Sequence, residues 1–233
     1  MIMANVSFKL DIKPKRNYKI VGFWSAKGGV GKTTISINIA YELSKKYNVG
    51  LLDADINCPN VVEYLNLKDE LVGSKEENKI YPIIKDNLQI VSMGAIYKDV
   101  IMWRGPLLSK AIKELLGRTD WRNIKYLIVD LPPGTGDIPI TIMNEIKPDG
   151  VFLITTPSKL AKQDVRKSKQ FLDKFSIKYL GLIGNMCGNV FGSIEEKHIG
   201  CLELSPDIHR SIEKGEFIDS DIFKRAVEII EEI

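Results

Sequence analysis

The sequence predicts an α/β fold, with one domain built on a mostly parallel central sheet that helices flank on both faces. Apolar, strand-like runs alternate with amphipathic, helix-like stretches along most of the chain, and this alternation is typical of parallel sheets covered on both sides. A glycine-rich turn at residues 25–34 separates the first such strand from the first such helix. The 233 residues are enough for one large domain with a sizeable core.

The individual elements are predicted from apolar periodicity and from the turns that separate them. Strands are predicted at 19–24, 49–53, 80–84, 88–92, 126–130, 151–155 and 179–185. Helices are predicted at 33–46, 106–116, 138–145, 159–175 and 221–232. The charged stretch 68–79 is predicted to be an exposed loop, and residues 1–17 a polar lead-in to a single domain at 18–233.

Composition limits the classes of function. The net charge of +3 is too small to indicate a nucleic-acid or acidic-membrane surface on its own. The longest apolar runs, such as 151–154, are too short to cross a bilayer, and residues 1–17 lack the apolar core of a secretory signal. We therefore expect a cytoplasmic protein. Its three cysteines form no Cys-x-x-Cys pair, and so low and odd a count argues against a disulfide framework.

The glycine-rich turn has the pattern of a phosphate-binding loop. Its glycines let the backbone approach phosphate oxygens, and the N–H groups at the start of the following helix bind anions. Lys32 is predicted to reach the β- and γ-phosphates of a nucleotide, and the Thr33 hydroxyl to bind Mg²⁺. Ala26 stands where the strict pattern has glycine, and Lys27 adds a second lysine inside the loop. The predicted nucleotide-binding residues of the loop are Lys27, Gly28, Gly29, Val30, Gly31, Lys32, Thr33 and Thr34.

Acidic residues end two other predicted strands, at the edge where open parallel sheets bind their ligands. Asp130 closes an apolar strand, the position of the Mg²⁺-binding aspartate of a Walker-B motif, with a turn or helix-capping aspartate as the alternative. Asp53 ends another predicted strand, and Asp55 follows two residues later. We expect Asp55 to orient the attacking water and Asp53 to act near Mg²⁺, unless one of the two only caps the next helix, a choice that spacing leaves open. Gly134 would let the backbone approach a γ-phosphate.

The loop with its extra lysine resembles that of the deviant Walker-A ATPases, the group that includes MinD, ParA and the nitrogenase iron protein. Within this group the chain is most similar to the Mrp/ApbC branch of P-loop NTPases, the iron–sulfur cluster carriers. Beyond the loop, this similarity rests on 51–56 with Pro59, on Trp103-Arg104-Gly105-Pro106, and on 130–137, which reads Asp-Leu-Pro-Pro-Gly-Thr-Gly-Asp. Thr155-Thr156-Pro157, Asp164-Val165-Arg166-Lys167 and Asn185-Met186 follow in the expected order.

The resemblance implies a slow, switch-like, Mg²⁺-dependent ATPase that works as a homodimer. Two ATP molecules would lie between the subunits, and iron–sulfur apo-proteins would be the targets. Lys27 would cross to the phosphates of the other subunit and share in catalysis with Lys32 and Asp55. The resemblance also puts Asn185 on the adenine, for which an amide offers a donor and an acceptor; without the resemblance, Asn185 is interpreted as a turn-forming residue.

The chain departs from the Mrp/ApbC pattern at its cysteines. Members of that branch carry a Cys-x-x-Cys pair after the Asn-Met strand and use it to bridge a 4Fe-4S cluster between two subunits. Here Cys187 follows the strand directly, and Cys201 is the next cysteine. The two could supply thiolates across a dimer, or they are small buried apolar residues, the usual state of free cysteine. We prefer the second interpretation, and Cys58 is not expected to be a ligand.

Two other functions are alternatives. A MinD/ParA-like positioning or partition ATPase without a cluster would need a membrane-binding helix or a basic DNA surface. Anionic lipid would repel the acidic residues of 223–233, and the basic cluster at 159–174 is interpreted as a solvated helix face. A small-molecule enzyme on the same scaffold would need a further catalytic group, and His198 and His209 are isolated in the sequence.

Overall fold

The computed structural model describes residues 16–56, 58–67, 72–74, 78–93, 105–158, 161–187 and 197–233. Its strands are β1 (Lys19–Trp24), β2 (Val49–Asp53), β3 (Val72–Ser74), β4 (Lys79–Tyr81), β5 (Ile83–Lys85), β6 (Leu88–Ser92), β7 (Tyr126–Asp130), β8 (Gly150–Thr155), β9 (Tyr179–Cys187) and β10 (His198–Glu203). Its helices are α1 (Lys32–Ser44), α2 (Val61–Tyr64), α3 (Gly105–Arg118), α4 (Asp137–Ile146), α5 (Ala161–Lys174), α6 (Pro206–Lys214) and α7 (Asp221–Glu231). Residues 1–15 of the predicted lead-in, and Trp103 and Arg104, lie outside the described residues.

The central sheet has eight of the described strands, in the order β10-β9-β8-β1-β7-β2-β6-β5. All neighbours run parallel except β5, which is antiparallel to β6. Strand β1 lies inside the sheet, between β7 and β8. The loop that follows β1 therefore opens at the middle of the carboxyl edge, where parallel sheets bind ligands.

Both faces of the sheet are buried, as β1 illustrates. Ile20 and Trp24 pack into one core with residues of α3, α4 and α5, whereas Val21 and Phe23 pack into the other with residues of α1 and α7. Successive side chains of a strand point to opposite faces, so a strand covered on both sides is apolar without a break. The predicted α/β class, with helices on both faces of a mostly parallel sheet, is confirmed.

Two regions differ from the prediction. The single strand expected at 80–84 is wrong, because Pro82 separates β4 from β5 and the two pair with different strands, β3 and β6. Proline has no N–H for a sheet ladder, so it belongs at such a break. The loop expected at 68–79 includes β3, which pairs with β4. The rest of that stretch, apart from 78–79, lies outside the described residues.

The strand β10 and the helix α6 were not predicted. β10 alternates irregularly between apolar and polar residues and lies at the edge of the sheet, next to β9. Helix α6 has no buried side chain, and its apolar residues besides Pro206 are Ile208 and Ile212 alone. No helix in the described part of the chain combines the length and the apolar character needed to cross a membrane.

Candidate nucleotide-binding site

The glycine-rich loop joins the end of β1 to the start of α1. Gly29 and Gly31 have φ angles of 74° and 79°, in the left-handed region that other residues rarely adopt. A Cβ added at Gly31 would overlap the side-chain nitrogen of Asn185, whereas one added at Gly29 would meet nothing within 4 Å. Glycine is therefore needed at both positions for conformation, and at Gly31 for space as well.

The first turn of α1 carries no internal cap. Gly31 is its N-cap and offers no side chain to the helix N–H groups, and the first turn has no acidic residue. In contrast, Ser205 and Ser220 accept hydrogen bonds from the first turns of α6 and α7. Unpaired N–H groups at a helix N-terminus, together with the helix dipole, attract anions. The start of α1 is thus suited to an anionic group.

Lys32 and Thr33, the first residues of α1, converge on one carboxylate. The Lys32 ammonium donates to Asp130 Oδ1 at 2.8 Å, and the Thr33 hydroxyl donates to Asp130 Oδ2 at 2.5 Å. Asp130 ends β7, beside β1, and is fully buried. Burial lowers the pKa of Lys32, but the carboxylates of Asp130 and Asp55 raise it more, so the net pKa lies above its usual value. The buried lysine therefore stays charged.

Asp53 lies behind this group, and its Cα is paired with that of Asp130 across β2 and β7. It accepts hydrogen bonds from the Ser92 hydroxyl at 2.9 Å and from the N–H of Val61, the first residue of α2, at 3.3 Å. Asp53 is therefore the member of the aspartate pair that contacts the start of the next helix. Burial, and secondly the negative charge of Asp130, raise the pKa of Asp53 to about 7.

Asp55 lies nearer the surface of the site than Asp53. Its Oδ2 is 3.5 Å from the Lys32 ammonium, and its Oδ1 accepts from the N–H of Cys58 at 3.4 Å. Burial raises the pKa of Asp55, and the charge of Lys32 only partly offsets this. Three carboxylates thus surround one lysine. Among the described residues, however, no three His, Cys, Asp or Glu side chains form a ready-made metal cage.

The loop after β7 is fastened to the start of the glycine-rich loop. The Gly134 N–H donates to the Ser25 carbonyl at 3.0 Å, and the Gly134 carbonyl accepts from the Trp24 indole at 3.2 Å. Pro133 Cγ lies 3.8 Å from the place of a Cβ on Gly28, an ordinary packing distance. The backbone around Gly134 is therefore within reach of whatever the glycine-rich loop binds.

Asn185 and Lys27 have partners within the chain. The buried Asn185 amide donates to the carbonyl of Val30 at 2.8 Å, so in this structure it contacts the loop rather than open space. Lys27, whose side chain is half exposed, forms an ion pair with Asp164 of α5. The adenine contact and the cross-subunit role both stay predictions.

The preferred interpretation of Cys187 and Cys201 as separate apolar residues is wrong. A disulfide bond joins them, with their Cα atoms 6.1 Å apart, and the low cysteine count did not indicate it. They lie on the neighbouring parallel strands β9 and β10, where Cys187 is opposite Glu203 and Cys201 is opposite Gly184. Cys58 is free and exposed. The pair was missed because β10 was missed.

Sequence reasoning also missed two residues that contact the predicted site. Asp164 lies in a stretch that carried the family resemblance, but its contact with Lys27 is tertiary and spacing does not reveal it. Ser92, which donates to Asp53, ends a strand that was predicted correctly. The rule that strand ends hold the ligand site would have found Ser92 if it had been applied to every strand.

Comparison with protein families gives one match over most of the chain. The model of a ParA-type family, described as NUBPL iron-transfer P-loop NTPase, matches residues 16–200. The iron–sulfur cluster carrier protein of Rickettsia conorii is 39% identical over 208 residues, which are 84% of this chain and 65% of that protein. The cytosolic Fe-S cluster assembly factor Nubp2 homolog of Aedes aegypti is 37% identical over 212 residues, 79% of this chain and 82% of that protein.

Solved structures share the fold. A nucleotide-binding protein from Archaeoglobus fulgidus, in complex with ADP, is 27% identical and has a TM-score of 0.75 over 88% of this chain and 90% of its own. MinD proteins from Pyrococcus and Aquifex and partition proteins from Borrelia burgdorferi are 18 to 23% identical, with TM-scores of 0.64 to 0.71. They match 92 to 94% of this chain and 95 to 100% of theirs. At that identity the similarity is one of fold alone.

Proposed function

Because the chain belongs to the ParA-type family of NUBPL iron-transfer P-loop NTPases, we propose that it is a Mg²⁺-dependent ATPase that carries iron–sulfur clusters to apo-proteins. It hydrolyses ATP slowly, as a homodimer, and uses the bound nucleotide as a conformational switch. The chain spans 65% of the length of the Rickettsia relative. The proposal therefore rests on the residues that this chain contains, and first on those of the glycine-rich loop.

One observation carries the ATPase assignment: Lys32, Thr33 and Asp130 meet at the uncapped start of α1. Binding of a nucleotide together with Mg²⁺ would give each of these groups a new partner. Lys32 would turn from Asp130 to the β- and γ-phosphates, and the helix N–H groups would bind the same oxygens. Because these groups are already buried and oriented, little reorganisation accompanies the reaction.

The donor atoms of the site suit Mg²⁺. A hydroxyl oxygen and carboxylate oxygens are hard ligands, and Mg²⁺ is commonly held by one or two protein groups together with phosphate oxygens and water. Thr33 and Asp130 would hold the ion, and Asp53 behind them would orient the shell. The ion would neutralise part of the negative charge on the transferred phosphoryl group.

Two further residues act on the γ-phosphate end. Asp55 has a carboxylate near the surface of the site, beside Lys32, and would accept a hydrogen bond from the attacking water. The Gly134 backbone is tied to Ser25 and Trp24, and its loop would respond to the presence of a γ-phosphate. Loss of that phosphate would then change the loop, which is how nucleotide state becomes a conformational signal.

The ion pair between Lys27 and Asp164 of the same chain can be broken at little cost in free energy. The Lys27 side chain is half exposed, and exposed ion pairs such as that with Asp164 contribute only about 0 to 1 kcal/mol. A triphosphate carries more charge than one carboxylate and competes readily for this lysine. In a dimer, Lys27 would reach the phosphates of the partner subunit, where negative charge is concentrated.

The cysteines support the cargo assignment once they are reduced. Cys187 and Cys201 are adjacent on neighbouring strands, so one chain offers two thiolates and a dimer offers four. Four thiolates are the usual ligand set of a 4Fe-4S cluster. The pair thus provides the ligand count of a Cys-x-x-Cys motif from residues fourteen positions apart.

The ATPase assignment is tested with two lysine variants. Lys32→Ala should abolish nucleotide binding, because it removes the buried ammonium of the site. Lys27→Ala should still bind ATP but lose hydrolysis and the ATP-dependent dimer, measured by phosphate release and by light scattering. Lys45→Ala is the matched control, since Lys45 is exposed, pairs with Glu42 and lies at the other end of α1. Normal turnover by the Lys27 variant would exclude the cross-subunit role.

The cargo assignment has a separate test. Reduced protein is incubated anaerobically with iron and sulfide, and we expect cluster absorption at one cluster per dimer. The double variant Cys187→Ser/Cys201→Ser should remain colourless. A colourless wild-type protein would exclude the cluster-carrying role but would not affect the ATPase assignment. ATP-dependent sedimentation with vesicles or DNA would then favour a MinD/ParA-like positioning function.

A further inference from the structure

Cys187 and Cys201 are close enough to open and close their disulfide without separation of the two strands that carry them. Their Cα separation of 6.1 Å is within the usual range for bonded cysteines. Pairing of β9 with β10 keeps the two residues on neighbouring strands when the bond is open, although the pairing becomes irregular near Cys187. Cys187 is buried, whereas Cys201 is partly exposed and can be reached by a small thiol or disulfide. Such a pair is suited to reversible oxidation.

The disulfide lies two residues from a contact with the glycine-rich loop. Asn185 donates its amide to the Val30 carbonyl and fills the space above Gly31. Movement of the Asn185 amide toward a bound base must break this hydrogen bond, and Asn185 lies at the end of β9. That end is the segment that Cys187 ties to β10.

Met186, between Asn185 and Cys187, shows that this segment is constrained. Its φ of 55° is in the left-handed region, which a non-glycine residue keeps only where its surroundings hold it. The pairing of β9 with β10 is also irregular here, with a register shift between Leu202 and Glu203. Opening the disulfide removes one of the constraints on Met186 and on the neighbouring Asn185.

We propose that Cys187 and Cys201 form a reversible dithiol–disulfide site, with low-molecular-weight disulfides as its oxidants, and that its redox state controls ATP affinity through Asn185. In the oxidised form the Asn185 amide is held on the Val30 carbonyl, as in this structure, and ATP binds weakly. In the reduced form the end of β9 is free to shift, and ATP binds more tightly. The coupling rests on the proposed ATP binding, whereas formation of the disulfide does not.

The oxidation is a two-step exchange. The thiolate of Cys201, the more accessible residue, attacks a small disulfide, whose S–S bond breaks and releases one thiol. The thiolate of Cys187 then attacks the Cys201 sulfur of the mixed disulfide and releases the second thiol. Two protein thiols are oxidised by two electrons, the small disulfide is reduced to two thiols, and the two cysteine protons leave with them.

Oxidation would affect cluster binding and ATP affinity together. A disulfide offers no thiolate, so the oxidised pair cannot bind a cluster, and ATP affinity falls at the same time. We expect the difference in ATP affinity to be about fivefold, the effect of one hydrogen bond gained or lost. Because coupling is reciprocal, saturating ATP should make the midpoint potential of the pair more positive by about 20 mV, which is fivefold converted for a two-electron couple.

The experiment uses the full chain with Cys58→Ser, which leaves only these two cysteines. Oxidised glutathione should remove both free thiols together and lower the mass by two hydrogens without a glutathione adduct. The single variants Cys187→Ser and Cys201→Ser show how each cysteine reacts with oxidised glutathione when the other is absent. Cys201 alone should retain a glutathione adduct. The Kd of a fluorescent ATP analogue is then compared between oxidised and reduced protein.

Each arm has a result that overturns the proposal. Two free thiols remaining after oxidation, or two separate adducts, would exclude the dithiol site. Equal ATP affinity in both redox states would exclude control through Asn185. A fivefold change that persists in Cys187→Ser/Cys201→Ser would assign it to the oxidant and overturn the coupling. If neither form binds ATP, the proposed function and the coupling both fail, while the thiol count and mass still decide whether the dithiol site exists.

Discussion

Replacing Gly31 by alanine should destabilise the protein more than the same change at Gly29. Both glycines have φ angles near +75°, in which an alanine Cβ is unfavourable by about 1 to 2 kcal/mol. Only at Gly31 does the new Cβ overlap Asn185, whose amide nitrogen it would meet and whose Cγ it would approach to 3.2 Å. The two variants therefore share a conformational cost and differ in a contact.

The contact cost follows from what Asn185 must give up. To make room, its amide has to leave the Val30 carbonyl, a buried hydrogen bond of 2.8 Å. The lost bond costs about 1 kcal/mol, and a buried acceptor left without a partner adds about 1 kcal/mol or more. We expect Gly31→Ala to lower the free energy of unfolding by about 3 to 4 kcal/mol, and Gly29→Ala by about 1 to 2 kcal/mol.

Urea unfolding of both variants, each with and without Asn185→Ala, separates these terms. In the Asn185→Ala background the overlap is gone, so the two glycine variants should cost the same. The double-mutant cycle should therefore show coupling between Gly31 and Asn185 and none between Gly29 and Asn185. Equal costs for the two glycine variants in the wild-type background would refute the role of Asn185 above the loop.

Three further variants test the structure. The pKa of Asp53 is about 7 in the folded protein against 3.8 in the reference state. The raised pKa therefore stabilises the folded protein below pH 4, and this stabilisation is lost as the pH rises through 7. In the nucleotide-free protein, Asp53→Asn should reduce the fall of the urea unfolding midpoint over this pH range. Asp130→Ala leaves the buried Lys32 without its nearest partner and should cost about 3 kcal/mol in the same assay. Gly50→Ala would set a Cβ 2.9 Å from the Trp121 ring, and a melting curve should show a loss of about 1 to 3 kcal/mol.

The central part of the site could be predicted from the sequence because local pattern and topology agree there. The glycine-rich loop identifies its own strand and helix, and the strand-end rule then adds Asp130 and Asp53. β1 and β7 turn out to be neighbours, which brings Asp130 beside Lys32. This inference needs only that both strands are parallel and belong to one sheet.

The periphery of the site could not be predicted, because its contacts depend on elements with weak patterns. β10 is a mixed edge strand, so the approach of Cys201 to Cys187 was invisible without it. The pairing of Lys27 with Asp164 depends on how α5 packs, which spacing does not determine. In contrast, the break at Pro82 was readable, since proline inside a predicted strand already argues against continuity.

The order of the strands in the sheet has a consequence for folding. β1 pairs with β7 and β8, and both of these strands lie more than a hundred residues further along the chain. The contact from Lys32 to Asp130 spans 98 residues, and that from Asn185 to Val30 spans 155. Contacts so distant in sequence form slowly, because a long loop must close first. During synthesis, the loop at residues 25–34 therefore emerges early but gains Asp130 and Asn185 late, so the candidate site is completed only after most of the chain has been made.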